Sequence, residues 1–99
     1  MTDVLDTQWQ LDPEVILTSV GDEAVLLHPE TNTYFGLDAL GTLIVKRLNE
    51  DHAPRQIVDE IVAGFLVDHD RAATDLSALL GELRDHGLIV AARPDQPVD

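Results

Sequence analysis

The chain has 99 residues, 44% of them hydrophobic, and no cysteine. That is enough for one compact domain and too little for two, and it leaves no disulfide, thiolate–zinc site or thiol nucleophile. Nineteen acidic residues against six basic ones give a formal net charge of −13, which repels nucleic-acid phosphates and anionic lipid headgroups; it suits a basic or neutral partner, or serves solubility alone.

No stretch approaches the roughly 20 apolar residues that cross a bilayer. Met1 to Asp12 carries acids and no apolar run, unlike a signal peptide. The expectation is a cytoplasmic protein that engages neither nucleic acid nor membrane.

Residues 1–12 are short and polar apart from Val4, Leu5 and Trp9, and read as a flexible N-terminus. The domain is expected over 13–91. Val15-Ile16-Leu17-Thr18-Ser19-Val20 is rich in β-branched residues and stops at the turn pair Gly21-Asp22. Glu23 to His28 follows as a second candidate strand. Pro29-Glu30-Thr31-Asn32 supplies turn chemistry before a third, Thr33-Tyr34-Phe35-Gly36-Leu37. Short connections between adjacent strands imply an antiparallel meander with the first and third strands at its edges.

After Leu37 the apolar period lengthens from two to that of a helix. Asp38 is a good N-cap, and Leu40, Leu43, Ile44 and Leu48 recur at helical spacing. Asn49-Glu50-Asp51-His52 breaks that helix. Pro54 fits a first helical turn, with Ile57, Ile61, Val62 and Phe65 as the next apolar stripe. A third helix begins at Asp70 with Ala72, Leu76, Leu79, Leu80 and Leu83 on one face, and Gly87 stops it. Leu88-Ile89-Val90 either adds a short strand or packs down. Residues 92–99, with Pro94 and Pro97 and no periodicity, read as a disordered tail. The fold class is α+β, ordered βββααα.

An open three-stranded sheet leaves unpaired N–H and C=O groups along each edge. Thr33 to Leu37 contains no proline or lysine to blunt that edge. Either the chain's own terminus covers it, or another backbone does.

The segment Leu26-Leu27-His28-Pro29-Glu30-Thr31-Asn32-Thr33-Tyr34-Phe35-Gly36-Leu37-Asp38 resembles the signature of the PqqD family: two apolar residues, a turn, then an aromatic-containing strand ending in Leu-Asn or Leu-Asp. Gly41 followed by Ile44 and Leu48 is similar to that family's first helix, and Ile57-Val58-Asp59-Glu60-Ile61 to its second. Asp75-Leu76 to Leu83, ending at Gly87-Leu88-Ile89, is similar to the third. The likeness runs from Val15 to Val90, and its weight lies in the ordered series of weak matches. It implies a winged helix-turn-helix fold and a non-catalytic protein without cofactor or metal. It also implies a RiPP recognition element, which binds the leader of a ribosomally made precursor peptide. The isolated domain and the Tyr34-Phe35-Gly36-Leu37 strand look closest to the lasso-peptide type, which works beside a separate leader peptidase and a cyclase.

Such binding would be β-strand addition: the leader completes the ladder of the third strand, and its alternate side chains enter a groove against the third helix. The candidate peptide-binding residues are Val25, Leu27, Thr33, Tyr34, Phe35, Gly36, Asp75, Leu76, Leu79 and Leu83. Tyr34 and Phe35 point to opposite faces of a regular strand, so one lines the groove and the other supports the core. Leu79 and Leu83 are the expected rim. Asp75 either bonds a leader hydroxyl or cation, or interacts favourably with the helix N-terminus. Val25 and Leu27 are weaker candidates.

Three rivals rank lower. A winged-helix transcriptional regulator needs a basic recognition helix, but Asp70 to His86 carries Asp70, Asp75, Glu82 and Asp85 against Arg71 and Arg84. An enzyme needs converging chemistry, but His28, His52, His69 and His86 are scattered, and Ser19 and Ser77 lie in no nucleophile motif. A generic module that dimerises through the same edge is the third.

Overall fold

Gly21-Asp22 closes the first hairpin as a two-residue loop in the computed structural model, which describes residues 4–92. Gly21 sits at φ +63°, where a side chain would be strained. It joins β2 (Ile16–Val20) to β3 (Glu23–His28), and the four-residue loop 29–32 joins β3 to β4 (Thr33–Leu37). Asn32 takes the left-handed position in that second loop, at φ 58°. The sheet order is β2-β3-β4, all antiparallel, with Leu27 opposite both Ile16 and Tyr34, and Leu26 opposite both Leu17 and Phe35.

Three helices follow: α1 (Ala39–Asn49), α2 (Pro54–Phe65) and α3 (His69–Asp85). Asp38 caps α1 as expected, its Oδ1 accepting the Gly41 N–H at 2.8 Å. α3 begins one residue earlier than the periodicity suggests. Its cap is Asp68, whose side chain accepts the Arg71 N–H at 2.7 Å. At its far end the Leu88 N–H donates to the Leu83 carbonyl and the Gly87 N–H to that of Arg84, with Gly87 at φ +73°. This double bond pattern satisfies the last carbonyls only if Gly87 is left-handed. Gly87→Ala is therefore expected to cost about 1 kcal/mol, read as a lower urea midpoint with unchanged slope.

The core is the side of the sheet facing the helices. Ala24, Leu26 and Leu37 meet Ile44, Val45 and Leu48 of α1, Ile57, Val58 and Ile61 of α2, and Ala72, Leu76, Leu80 and Leu83 of α3. Phe65 does not join them. It continues the α2 stripe beyond its neighbours and is exposed. An ion pair from Arg47 Nε to Glu60 Oε2 at 2.7 Å links α1 to α2, and that hydrogen bond is the main cause of the raised Arg47 pKa.

The N-terminal segment is a correction to the sequence reading. Val4–Asp6 forms a 3₁₀ turn, and β1 (Trp9–Leu11) pairs antiparallel with β5 (Ile89–Ala91) in a second, two-stranded sheet. Leu5 and Trp9 are buried core residues, and the Trp9 Nε1–H donates to the Val4 carbonyl at 2.8 Å. Arg55 Nε meets Asp6 at 2.9 Å, and Gln8 Nε2 donates to the His52 carbonyl. The folded unit thus begins at least as early as Val4, not at residue 13, because these few apolar side chains have a core to enter. Leu88-Ile89-Val90 resolves in favour of a strand. The tail expected over 92–99 lies, except for Ala92, outside the described residues.

Candidate functional site

β4 is one edge of the three-stranded sheet, and its side chains alternate between two environments. Phe35 and Leu37 point toward the helices, with their cross-strand partners Leu26 and Ala24 buried. Tyr34 points the other way and is 66% exposed. On its outer face it shares a side with Gly36, Val25 and Leu27, and with Ile16 and Thr18 of β2. The question left open by the sequence is settled geometrically: Phe35 faces inward and Tyr34 outward.

Inward of β4 lies a groove of about 480 Å³. Phe35, Gly36 and Leu37 form one wall, and Leu40, Gly41 and Ile44 of α1 a second. Asp75, Leu79 and Glu82 of α3 form the third. Gly41 allows α1 to approach the strand closely: a Cβ there would stand 3.2 Å from Leu37 Cδ2 and 3.3 Å from Asp38 Oδ1. At one end the Phe35 and His86 rings meet edge-on, centroids 5.4 Å apart at 73°. His86 Nδ1 is 2.7 Å from the Glu82 carbonyl, a bond that needs the proton on Nδ1.

The groove combines an apolar floor with an acidic rim of Asp38, Asp75 and Glu82, and among the described residues no lysine or arginine lines it. Asp38 is engaged in capping α1, and Asp75 is 3.3 Å from Arg71 on exposed surface, a pair of little energetic weight.

Of the residues expected at the site, the structure brings Phe35, Gly36, Asp75 and Leu79 to the groove. Thr33 lies on the same strand, half-buried, beyond the groove lining. Val25, Leu27 and Tyr34 lie on the outer face instead. Leu76 and Leu83 are corrections: both are 0% exposed in the core. Successive helical residues are about 100° apart, so the core stripe Leu76, Leu80 and Leu83 lies roughly a quarter turn from the groove stripe. That second stripe is Asp75, Leu79 and Glu82, spaced i, i+4 and i+7, and one further step at i+11 reaches His86, whose ring meets Phe35. Glu82 and His86 could have been found from Leu79 by the same arithmetic. Asp38, Leu40, Gly41 and Ile44 carry no comparable signal, since α1 reads only as a capped, core-facing helix.

Among the described residues no three His, Cys, Asp or Glu side chains converge as a metal site, and no helix is long and apolar enough to cross a membrane. What remains is an edge strand beside a groove with an apolar floor and an acidic rim, a geometry that offers an added strand both a backbone ladder and side-chain pockets.

The chain belongs to the PqqD family: the model of that family, described as coenzyme PQQ synthesis protein D, matches residues 23–89. Two solved structures share its fold over nearly their full length. One is TbiB1 in complex with the TbiA(beta) leader peptide, 37% identical, covering 91% of this chain and 99% of that one at a TM-score of 0.78. The other is a lasso peptide synthetase B1 complexed with the leader peptide, 26% identical, covering 84% and 98% at the same TM-score of 0.78. No curated protein matches the chain.

Proposed function

We propose that this protein captures the leader region of a ribosomally synthesised precursor peptide. The leader adds as an antiparallel strand to β4, and its alternate side chains enter the groove against α3. The protein then presents it to a leader peptidase and a cyclase, or to another modifying enzyme of the same pathway. The observation that carries this reading is the β4 edge, unpaired among the described residues, lying directly beside a groove with an apolar floor. The likeness to two chains described as leader-peptide complexes supports it.

β2 is equally an edge, but the groove walled by α1 and α3 lies at β4 and no β2 residue lines it. Main-chain ladder bonds at β4 would give affinity with little sequence preference. Phe35, Leu79 and the acids of the rim would choose among leaders. A flexible leader loses conformational freedom on capture, which moderates the affinity and eases later release.

A fluorescence-polarisation titration with a labelled leader peptide of the cognate precursor tests the reading. Saturable one-to-one binding is expected in the micromolar range or tighter, on the order of −8 kcal/mol. No binding up to high micromolar protein would remove it.

A further inference from the structure

Gly36 is a glycine that its own fold does not use. It lies inside strand β4, and the left-handed glycines among the described residues are Gly21 and Gly87. A Cβ at Gly36 would meet no atom within 4 Å among the described residues, so no close packing excludes a side chain there. Strands are stabilised by β-branched and aromatic residues and weakened by glycine. A strand glycine of this kind marks a place where a ligand or another backbone passes close by.

The space it leaves open lies on the outer face. The missing side chain would stand on the side of Val25, its cross-strand partner, and of Tyr34. A second pocket, of about 420 Å³, is lined by Val20, Glu23 and Val25 of that face together with Gly36. Gly36, Leu37 and Asp38 line both this pocket and the groove against α3. The two recesses therefore meet along one stretch of the edge strand. Tyr34 does not line the second.

Strand addition decides what fills it. A leader residue directly opposite Gly36 shares its outward side and stands about 5 Å away. Val25 lies one strand further on, roughly 10 Å from the leader backbone. A short side chain ends above Gly36, whereas a long apolar one crosses the bare backbone to Val25 and the exposed Val20. An aromatic from a neighbouring strand covers an edge glycine in this manner. Glu23 and Asp38 in the lining, with no lysine or arginine among the described residues, disfavour an acidic side chain.

We propose that Gly36 is the specificity-determining position of an outer-face subsite, which accepts one large apolar side chain of the leader laid across the glycine. This proposal rests on the leader-capture reading and adds to it a grip on the leader's other face.

The test is isothermal titration of the full chain with the cognate leader peptide. Gly36→Val places a β-branched side chain in open space, so its melting temperature is expected to hold or rise. Its leader affinity should nonetheless fall at least about tenfold, with a smaller loss for Gly36→Ala. An alanine scan of the leader should then find one large apolar residue whose truncation weakens binding to the wild-type chain at least about tenfold. The same truncation should weaken binding to Gly36→Val less than about twofold, because the subsite is already filled.

Unchanged affinity of both Gly36 variants would overturn the proposal while leaving leader capture intact. So would a loss in Gly36→Val that couples to no leader side chain, since the added valine would then obstruct the ladder alone. A fall in melting temperature that accounts for the lost affinity would overturn it too, by showing that the glycine serves the fold. Failure of the wild-type chain to bind leader would instead remove the reading beneath it.

Discussion

Phe35→Ala is expected to weaken leader capture about thirtyfold, and Tyr34→Ala less than about threefold. The two aromatics are sequence neighbours of similar size, so composition cannot separate them; the pleat does. Phe35 points into the groove, where its ring meets His86 and lies across from Leu79. A leader side chain entering there would bury the Phe35 face, and a buried aromatic at the centre of a contact typically carries about 2 kcal/mol, which is the thirtyfold. Tyr34 stands on the outer face at 66% exposure and would touch only the leader residues that point away from the groove. Isothermal titration of both variants with one leader peptide checks the ratio. Thermal melts show whether either change acts through stability instead. Equal losses, or the reverse order, would mean that the leader reads the other face of β4.

The second large effect concerns stability. Trp9→Ala is expected to destabilise the fold by about 3–5 kcal/mol, the usual cost of emptying a large buried aromatic site. For a domain of this size that lowers the melting temperature by well over about 10 °C. Trp9 is 6% exposed, its indole N–H is bonded to the Val4 carbonyl, and its strand pairs with β5. A chain starting at residue 13 would lose this side chain, Leu5 and the whole β1–β5 ladder together, and is expected to melt lower still. Were the truncated chain as stable as the full one by circular dichroism, the N-terminal segment would be dispensable to the fold.

That segment marks where the sequence is hard to read. Strand β1 is three residues long, and Trp-Gln-Leu shows too little alternation to register as a strand. Its partner β5 lies 78 or more residues away in the chain, and local patterning carries no signal for so distant a pairing. The meander and helices were legible because each rests on short-range physics: Gly21 in a tight turn, Asp38 as a cap, Pro54 in a first turn, Gly87 as a stop. β4 as an edge followed from the order of three short-linked strands.

The groove was legible only in part. An apolar stripe on α3 was plain, but deciding which leucines face the core requires knowing how the helix is rotated against the sheet. That rotation is set by tertiary packing: Leu76, Leu80 and Leu83 turn inward, and Leu79 is left at the groove with Asp75 and Glu82, while His86 meets the Phe35 ring. The α1 wall was invisible for the same reason: Leu40 reads as core until β4 is placed beside it, and Ile44 is a core residue that also reaches the groove floor.

Strand addition at β4 is the central claim, and amide hydrogen exchange followed by NMR tests it most directly. With leader peptide at saturation, amides within Thr33 to Leu37 that face the open edge should gain protection. Those of Ile16 to Val20 on the opposite edge should exchange as before. Saturable binding that leaves the β4 amides unprotected, or that protects β2 instead, would contradict the account.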